Sequence, residues 1–205
     1  MDKLNDRNLF GLFLQYFEIS EIKKLIRKDK YILNFIIKHK WCISELSYSD
    51  MHWIKLGYKN IKKLHIYFFT DVKQVPKELI NLRELNCIYS EIKYIPKELI
   101  NLKKLYCAHT KIKEIPKTLK KLRKLSCSYT KIKEIPKTLI NLKILYCSYT
   151  KIKEIPKELI NLQELYCCFG TKIKVIPKEL VNLKKINFKK ISQFKKNEEG
   201  NILLN

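Results

Sequence analysis

The sequence predicts a stacked solenoid, an array of short units that share one continuous core. Two observations carry this. Six prolines, Pro76, Pro96, Pro116, Pro136, Pro156 and Pro177, recur at a period of twenty residues with one late insertion. The apolar residues keep the same step, because Leu122, Leu125, Cys127, Ile132, Ile135 and Leu139 return as Leu142, Leu145, Cys147, Ile152, Ile155 and Leu159. So short a unit cannot close a core alone. Each must therefore bury its apolar side against the units above and below it.

Within a unit, the residues from Leu122 through Leu125 and Cys127 to Thr130 and Ile132 read L-x-x-L-x-C-x-x-T-x-I, and this resembles the leucine-rich repeat. The resemblance implies an α/β solenoid, a leucine-rich-repeat coil with a parallel sheet on its concave side. Each coil would supply one short strand, such as Leu145-Tyr146-Cys147. Two positions depart from the family pattern. Cys87, Cys107, Cys127, Cys147 and Cys167 stand where leucine is usual, and Thr110, Thr130, Thr150 and Thr171 stand where asparagine is usual. A neutral thiol is small and apolar and suits a tight interior. A threonine hydroxyl can bond the backbone at a turn, as asparagine does.

On the convex side each proline fixes φ and begins a tight turn or short helix. Its ring also holds the preceding residue, Ile115 or Ile135 for example, extended. Asn81, Asn101, Asn141, Asn161 and Asn182 end these segments, where asparagine can take a left-handed cap. Lys121 stands there in one unit.

Residues 1–42 do not repeat. Leu9 to Phe17, Ile22 to Ile26 and Tyr31 to Ile37 form three apolar clusters with helical spacing, and Ser20 and Asp29 are placed to cap the second and third helices. Their order is similar to the F-box, a three-helix motif often joined to leucine-rich repeats, with Asn5-Asp6-Arg7 in place of the family's opening Leu-Pro. This resemblance implies docking on the Skp1-type adaptor of a ubiquitin ligase, with Leu9, Phe13, Ile22 and Leu25 as buried or adaptor-side positions. The other reading is a helical cap, which hides the open edge of the array. The array then covers 43–188, opening on a degenerate coil from Ile43 to Asn60, and 189–205 form a C-terminal cap or tail.

The formal net charge is +23. Such a value raises a polyanion as partner. Of 43 basic residues only Arg7, Arg27, Arg83 and Arg123 are arginine, and Ala108 is the one alanine. An excess of Lys, Ile and Asn with little Ala, Gly or Arg is what an AT-rich genome encodes, and it looks like F-box and leucine-rich-repeat proteins of giant DNA viruses of amoebae. No secretory signal or membrane-spanning run is legible, so no membrane partner is expected. Five of the seven cysteines follow the repeat and none makes a C-x-x-C pair, which points to a reducing compartment, the cytoplasm (the host's, if the protein is viral), without metal or other cofactor.

Strand alternation selects the partner-facing residues. One column is His65, Asn86, Tyr106, Ser126, Tyr146 and Tyr166; a second, at the strand's edge, is Phe68, Tyr89, His109, Tyr129, Tyr149 and Phe169. Tyrosine offers a large amphipathic contact at low entropy cost, so these columns are the candidate surface for a protein target. The competing reading is that duplication copied one tyrosine and the rings only stack on each other. Lys111, Lys131, Lys151 and Lys172 form a third column, which makes nucleic acid a further candidate partner. Glu114, Glu134 and Glu154 interrupt it, and arginine, the usual base reader, is scarce. No Ser-His-Asp or Cys-His set recurs and no glycine-rich phosphate loop exists, so no enzyme activity is expected.

Overall fold

The computed structural model describes residues 45–46, 61–66, 74–167, 169–187, 189–190 and 194–204. Strands of two or three residues come once per coil: β1 (Glu45–Leu46), β2 (Lys63–His65), β3 (Glu84–Asn86), β4 (Lys104–Tyr106), β5 (Lys124–Ser126), β6 (Ile144–Tyr146) and β7 (Glu164–Tyr166). Each pairs in parallel with the next, so that Leu46, Leu64, Leu85, Leu105, Leu125, Leu145 and Leu165 stand in one line across the sheet. Leu46 thus stands in register with the repeat leucines. From Leu64 onward these leucines are fully buried, each stabilising the stack by about 1.5 to 3 kcal/mol relative to exposure.

The strand sits one residue earlier than Leu145-Tyr146-Cys147. The Cys147 amide still donates to the Tyr166 carbonyl of the next coil at 2.8 Å, but the chain beyond it turns toward a left-handed residue and regular pairing ends there. Ile144 and Tyr146 therefore share the outward face, with Leu145 between them pointing in. Cys87, Cys107, Cys127 and Cys147 lie beneath as a fully buried ladder of free thiols.

The convex side is built of turns, with no helix among the described residues. In each coil two consecutive i to i+3 bonds follow the proline, as in Leu139 N–H to Pro136 O at 3.1 Å and Leu142 N–H to Leu139 O at 2.9 Å. The convex asparagines are not left-handed caps. Asn101, Asn141, Asn161 and Asn182 instead reach back one coil, donating from Nδ2 to the carbonyls of Ile80, Lys120, Ile140 and Ile160 at 2.8 to 2.9 Å. Turns leave carbonyls without backbone partners, and the stacking distance puts the neighbouring amide within reach of one. Where Lys121 replaces asparagine, its ammonium donates to Asn101 Oδ1 at 2.7 Å.

The C-terminal residues close the stack. β8 (Val175–Ile176) lies outside the main sheet, β9 (Lys185–Ile186) pairs in parallel with β7, and β10 (Lys189–Lys190) turns back antiparallel on β9. β11 (Ile202–Leu203) returns antiparallel to β8, placing the buried Ile202 opposite Ile176. The tail thereby covers backbone that a further coil would otherwise have paired. No helix among the described residues is long and apolar enough to cross a membrane. Leu9, Phe13, Ile22 and Leu25, and Phe68 of the edge column, lie outside the described residues.

Candidate functional site

The turn that follows each strand is anchored from inside. Thr110, Thr130 and Thr150 are buried, and each hydroxyl donates to the carbonyl of the ladder cysteine three residues earlier at 2.7 Å; Ser90 does the same at 2.6 Å. Each cysteine amide meanwhile donates to the next coil, as Cys127 does to Tyr146 O at 2.9 Å. This clamp reverses the chain within two residues. The residue before the clamping threonine or serine consequently takes positive φ: 58° at Tyr89, 54° at His109, 57° at Tyr129 and 54° at Tyr149. Left-handed geometry costs an L-residue about 1 to 2 kcal/mol.

The edge column offsets that cost by stacking. Ring centroids lie 4.3 Å apart for Tyr89 and His109, 4.1 Å for His109 and Tyr129, and 4.4 Å for Tyr129 and Tyr149, with interplanar angles under 20°. A stacked pair contributes about 0.5 to 1.5 kcal/mol beyond area burial, and each inner ring has two neighbours. Ring faces in this column are already satisfied by each other. What it offers to solvent is ring edges and hydroxyl tips.

Phe169 does not continue the column as a rung. The insertion puts an extra residue after Cys167, so Thr171 reaches Cys167 O across four residues at 3.3 Å rather than across three. The left-handed position then falls on Gly170, at φ 64°, and the Tyr149 amide donates to Phe169 O. A Cβ at Gly170 would stand 2.6 Å from Tyr149 Cδ1, so glycine is required. The Phe169 ring is displaced to 6.2 Å from Tyr149 and is 65% exposed.

The strand column is different in kind. Asn86, Tyr106, Ser126, Tyr146 and Tyr166 stand opposite one another across β3 to β7. Tyr146 and Tyr166 stack at 4.4 Å and 9°, whereas Ser126 separates Tyr106 from Tyr146. Burial and the Glu164 carboxylate, which accepts from the Tyr166 hydroxyl at 2.9 Å, push the Tyr166 phenol up to about 12.

Beside it runs a column that reading the strand one residue late conceals. Lys63, Glu84, Lys104, Lys124, Ile144, Glu164 and Lys185 open the strands and share the outward face with the tyrosines. Strict two-residue alternation back from Tyr146 would have found it. Lys104 pairs with Glu84 at 3.2 Å and Lys185 with Glu164 at 3.9 Å. Lys124 lies over both the Tyr106 and the Tyr146 ring, 5.5 and 5.6 Å from the centroids. Of the lysines beside the edge column, Lys111 is paired with Glu91.

Beneath these surfaces the thiols are inert. Burial pushes Cys87 and Cys127 up to about 12 and raises Cys107 well above the ordinary thiol range, with the neighbouring ladder thiols adding to the Cys107 shift. A neutral, inaccessible thiol is neither nucleophile nor metal ligand. Among the described residues no group of three His, Cys, Asp or Glu side chains is placed to hold a metal ion.

Solved structures with the same architecture include the functional domain of InlJ from Listeria monocytogenes, which itself includes a cysteine ladder. It matches with a TM-score of 0.57 over 72% of this chain and 33% of that one, at 20% identity. The internalin InlF from Listeria monocytogenes matches with a TM-score of 0.51 over 62% of this chain and 41% of that one, at 21% identity. The chain has the leucine-rich-repeat fold. At this level of identity the likeness shows the fold alone, and the chain spans well under half the length of either internalin chain. No family model and no curated protein matches the sequence.

Proposed function

We propose that this chain is a protein-interaction module whose concave sheet holds a segment of a protein partner. The observation that carries this is the outward face of β4 to β7, where Tyr106, Tyr146 and Tyr166 line up beside Lys104, Lys124 and Glu164. Large amphipathic rings on a rigid parallel sheet give contact area without side-chain ordering cost, and the adjacent charges of both signs supply orientation. In the charged column Glu84 and Glu164 already hold Lys104 and Lys185, which leaves fewer cations for a phosphate chain and favours a peptide over a nucleic-acid strand. The role is binding and includes no chemical step. Five buried free thiols suit a reducing compartment such as the cytoplasm.

The finer reading is that residues 1–42 dock on a Skp1-type adaptor and present the bound partner for ubiquitin transfer. It is supported by the F-box-like order of the N-terminal clusters. Both parts are tested by co-purification of the intact chain from a eukaryotic cytoplasmic extract. Proteins held by the concave face are expected to be lost when Tyr106, Tyr146 and Tyr166 are changed together to alanine, and equal retention would remove the concave assignment. A Leu9→Ala, Phe13→Ala variant is expected to lose the adaptor while keeping the other partners. Its failure to change adaptor recovery would leave the N-terminal segment with a capping role alone.

A further inference from the structure

The strand column lacks one rung. Tyr106, Ser126 and Tyr146 occupy the same register on three adjacent strands, and neighbouring strands lie about 4.7 to 4.9 Å apart. The planes of Tyr106 and Tyr146 are therefore separated by about twice that distance, on the order of 9.5 Å. A planar ring placed between them would stack on both at nearly the spacing that Tyr146 and Tyr166 already show, 4.4 Å. Serine leaves that space without a ring, and the flexible Lys124 side chain occupies it, its ammonium 5.5 and 5.6 Å from the two centroids.

The mouth of the gap carries a charge that the protein does not neutralise. Lys104 and Lys185 each have a carboxylate partner in the same column. Lys124 is flanked across the sheet by Lys104 and Ile144 instead, and no carboxylate among the described residues lies within ion-pair distance of it. Its ammonium stands almost equally far from both rings, at 5.5 and 5.6 Å. The geometry is a gap between two ring faces filled by a single lysine side chain that makes a cation–π contact with each.

We propose that the gap between Tyr106 and Tyr146 anchors an aromatic side chain of a protein partner, with a carboxylate beside that ring received by Lys124. The inference rests on the reading of the concave face as a protein-binding surface and names the chemistry that this surface selects. The inserted ring displaces the Lys124 ammonium from between Tyr106 and Tyr146 and gains two stacking neighbours, and the displaced ammonium receives the carboxylate. A nucleotide also offers a ring and an anion. The single gap, and the pairing of Lys104 with Glu84 and of Lys185 with Glu164, argue against a phosphate chain running along the sheet.

The test uses the intact chain with labelled tyrosine rings, titrated in a nuclear magnetic resonance experiment. The probes are N-acetylphenylalanine, its uncharged amide, N-acetylleucine and adenosine monophosphate. N-acetylphenylalanine is expected to shift the Tyr106 and Tyr146 ring signals and leave those of Tyr89 and Tyr129 in place. Ser126→Tyr, which fills the slot with the residue its neighbours carry, is expected to weaken that binding about tenfold. Lys124→Gln is expected to lose about threefold for the acid and nothing for the amide. N-acetylleucine is expected to bind more weakly than the phenylalanine probe. Shifts that persist unchanged in Ser126→Tyr, or that fall on the edge column, overturn the proposal. Tighter binding of adenosine monophosphate than of N-acetylphenylalanine overturns it in favour of a nucleotide. If Ser126→Tyr binds no probe yet co-purifies the same proteins as the unaltered chain, the slot is not their anchor, and the concave surface retains its role.

Discussion

The two aromatic columns of this solenoid come from the same duplicated unit, yet they do opposite things. In the edge column, Tyr89, His109, Tyr129 and Tyr149 stack without a gap, and every one of them is left-handed. In the strand column, Tyr106, Tyr146 and Tyr166 have relaxed strand geometry, and Ser126 breaks the line. A column whose rings hold a strained turn together has its faces committed. A column that is unstrained and interrupted leaves two ring faces covered only by one exchangeable side chain, Lys124. Regularity along a repeat therefore marks self-support, and the break in it marks the place where something else can fit.

Both columns depend on the buried ladder beneath them, and breaking that ladder gives the largest expected effects. Cys87 and Cys127 titrate near 12 in the folded chain against an ordinary value near 9. The unfolded thiols ionise first as pH rises, so the folded state keeps more protons. The stability they contribute is whole below pH 9 and is lost as pH climbs through 12. The expected slope is about 1.4 kcal/mol per pH unit for each such thiol in that window. Denaturant titrations between pH 8 and 11 measure it, and Cys127→Ala should flatten the decline. Stability independent of pH across that range would contradict the buried ladder.

Leu145→Ala is expected to cost about 2 to 5 kcal/mol, since it opens a cavity in a fully buried line. Lys157→Ala, on the exposed convex side, should leave the denaturation midpoint unchanged. Similar effects at both positions would refute the register.

The edge column separates strain from stacking in one pair of variants. His109→Val removes two ring contacts and puts a β-branched residue at positive φ, for an expected loss of about 2 to 4 kcal/mol. His109→Asn removes the same contacts but tolerates the left-handed turn, so it should recover about 1 to 2 kcal/mol of that loss. Equal losses would mean that the turn is not strained.

The smallest expected loss among the buried contacts is at the clamp. Thr130→Val deletes the hydroxyl that donates to Cys127 O and should cost about 1 kcal/mol. Thr171→Val, whose bond is longer at 3.3 Å, should cost less. Chemical denaturation of the two variants side by side decides the order.

The sequence by itself determined the architecture, because a unit too short to bury its own leucines can be stable only as a stack, and the proline period sets the length of each coil. It also determined the chemistry available on the concave side, since alternation about Leu125 and Leu145 leaves few choices for what points outward. Tertiary structure alone decided the rest. The left-handed turn at Tyr89 to Tyr149 is invisible in the repeat, because tyrosine has no local preference for it. The threonine clamp and the adjacent coils impose it. The asparagine amides bridge coils because a carbonyl one coil away comes within reach only when the array is stacked. The pairing of Lys104 and Lys185, and the position of Lys124 over two rings, also required the register of neighbouring strands. Those contacts join residues about twenty apart in sequence and one strand spacing apart in space.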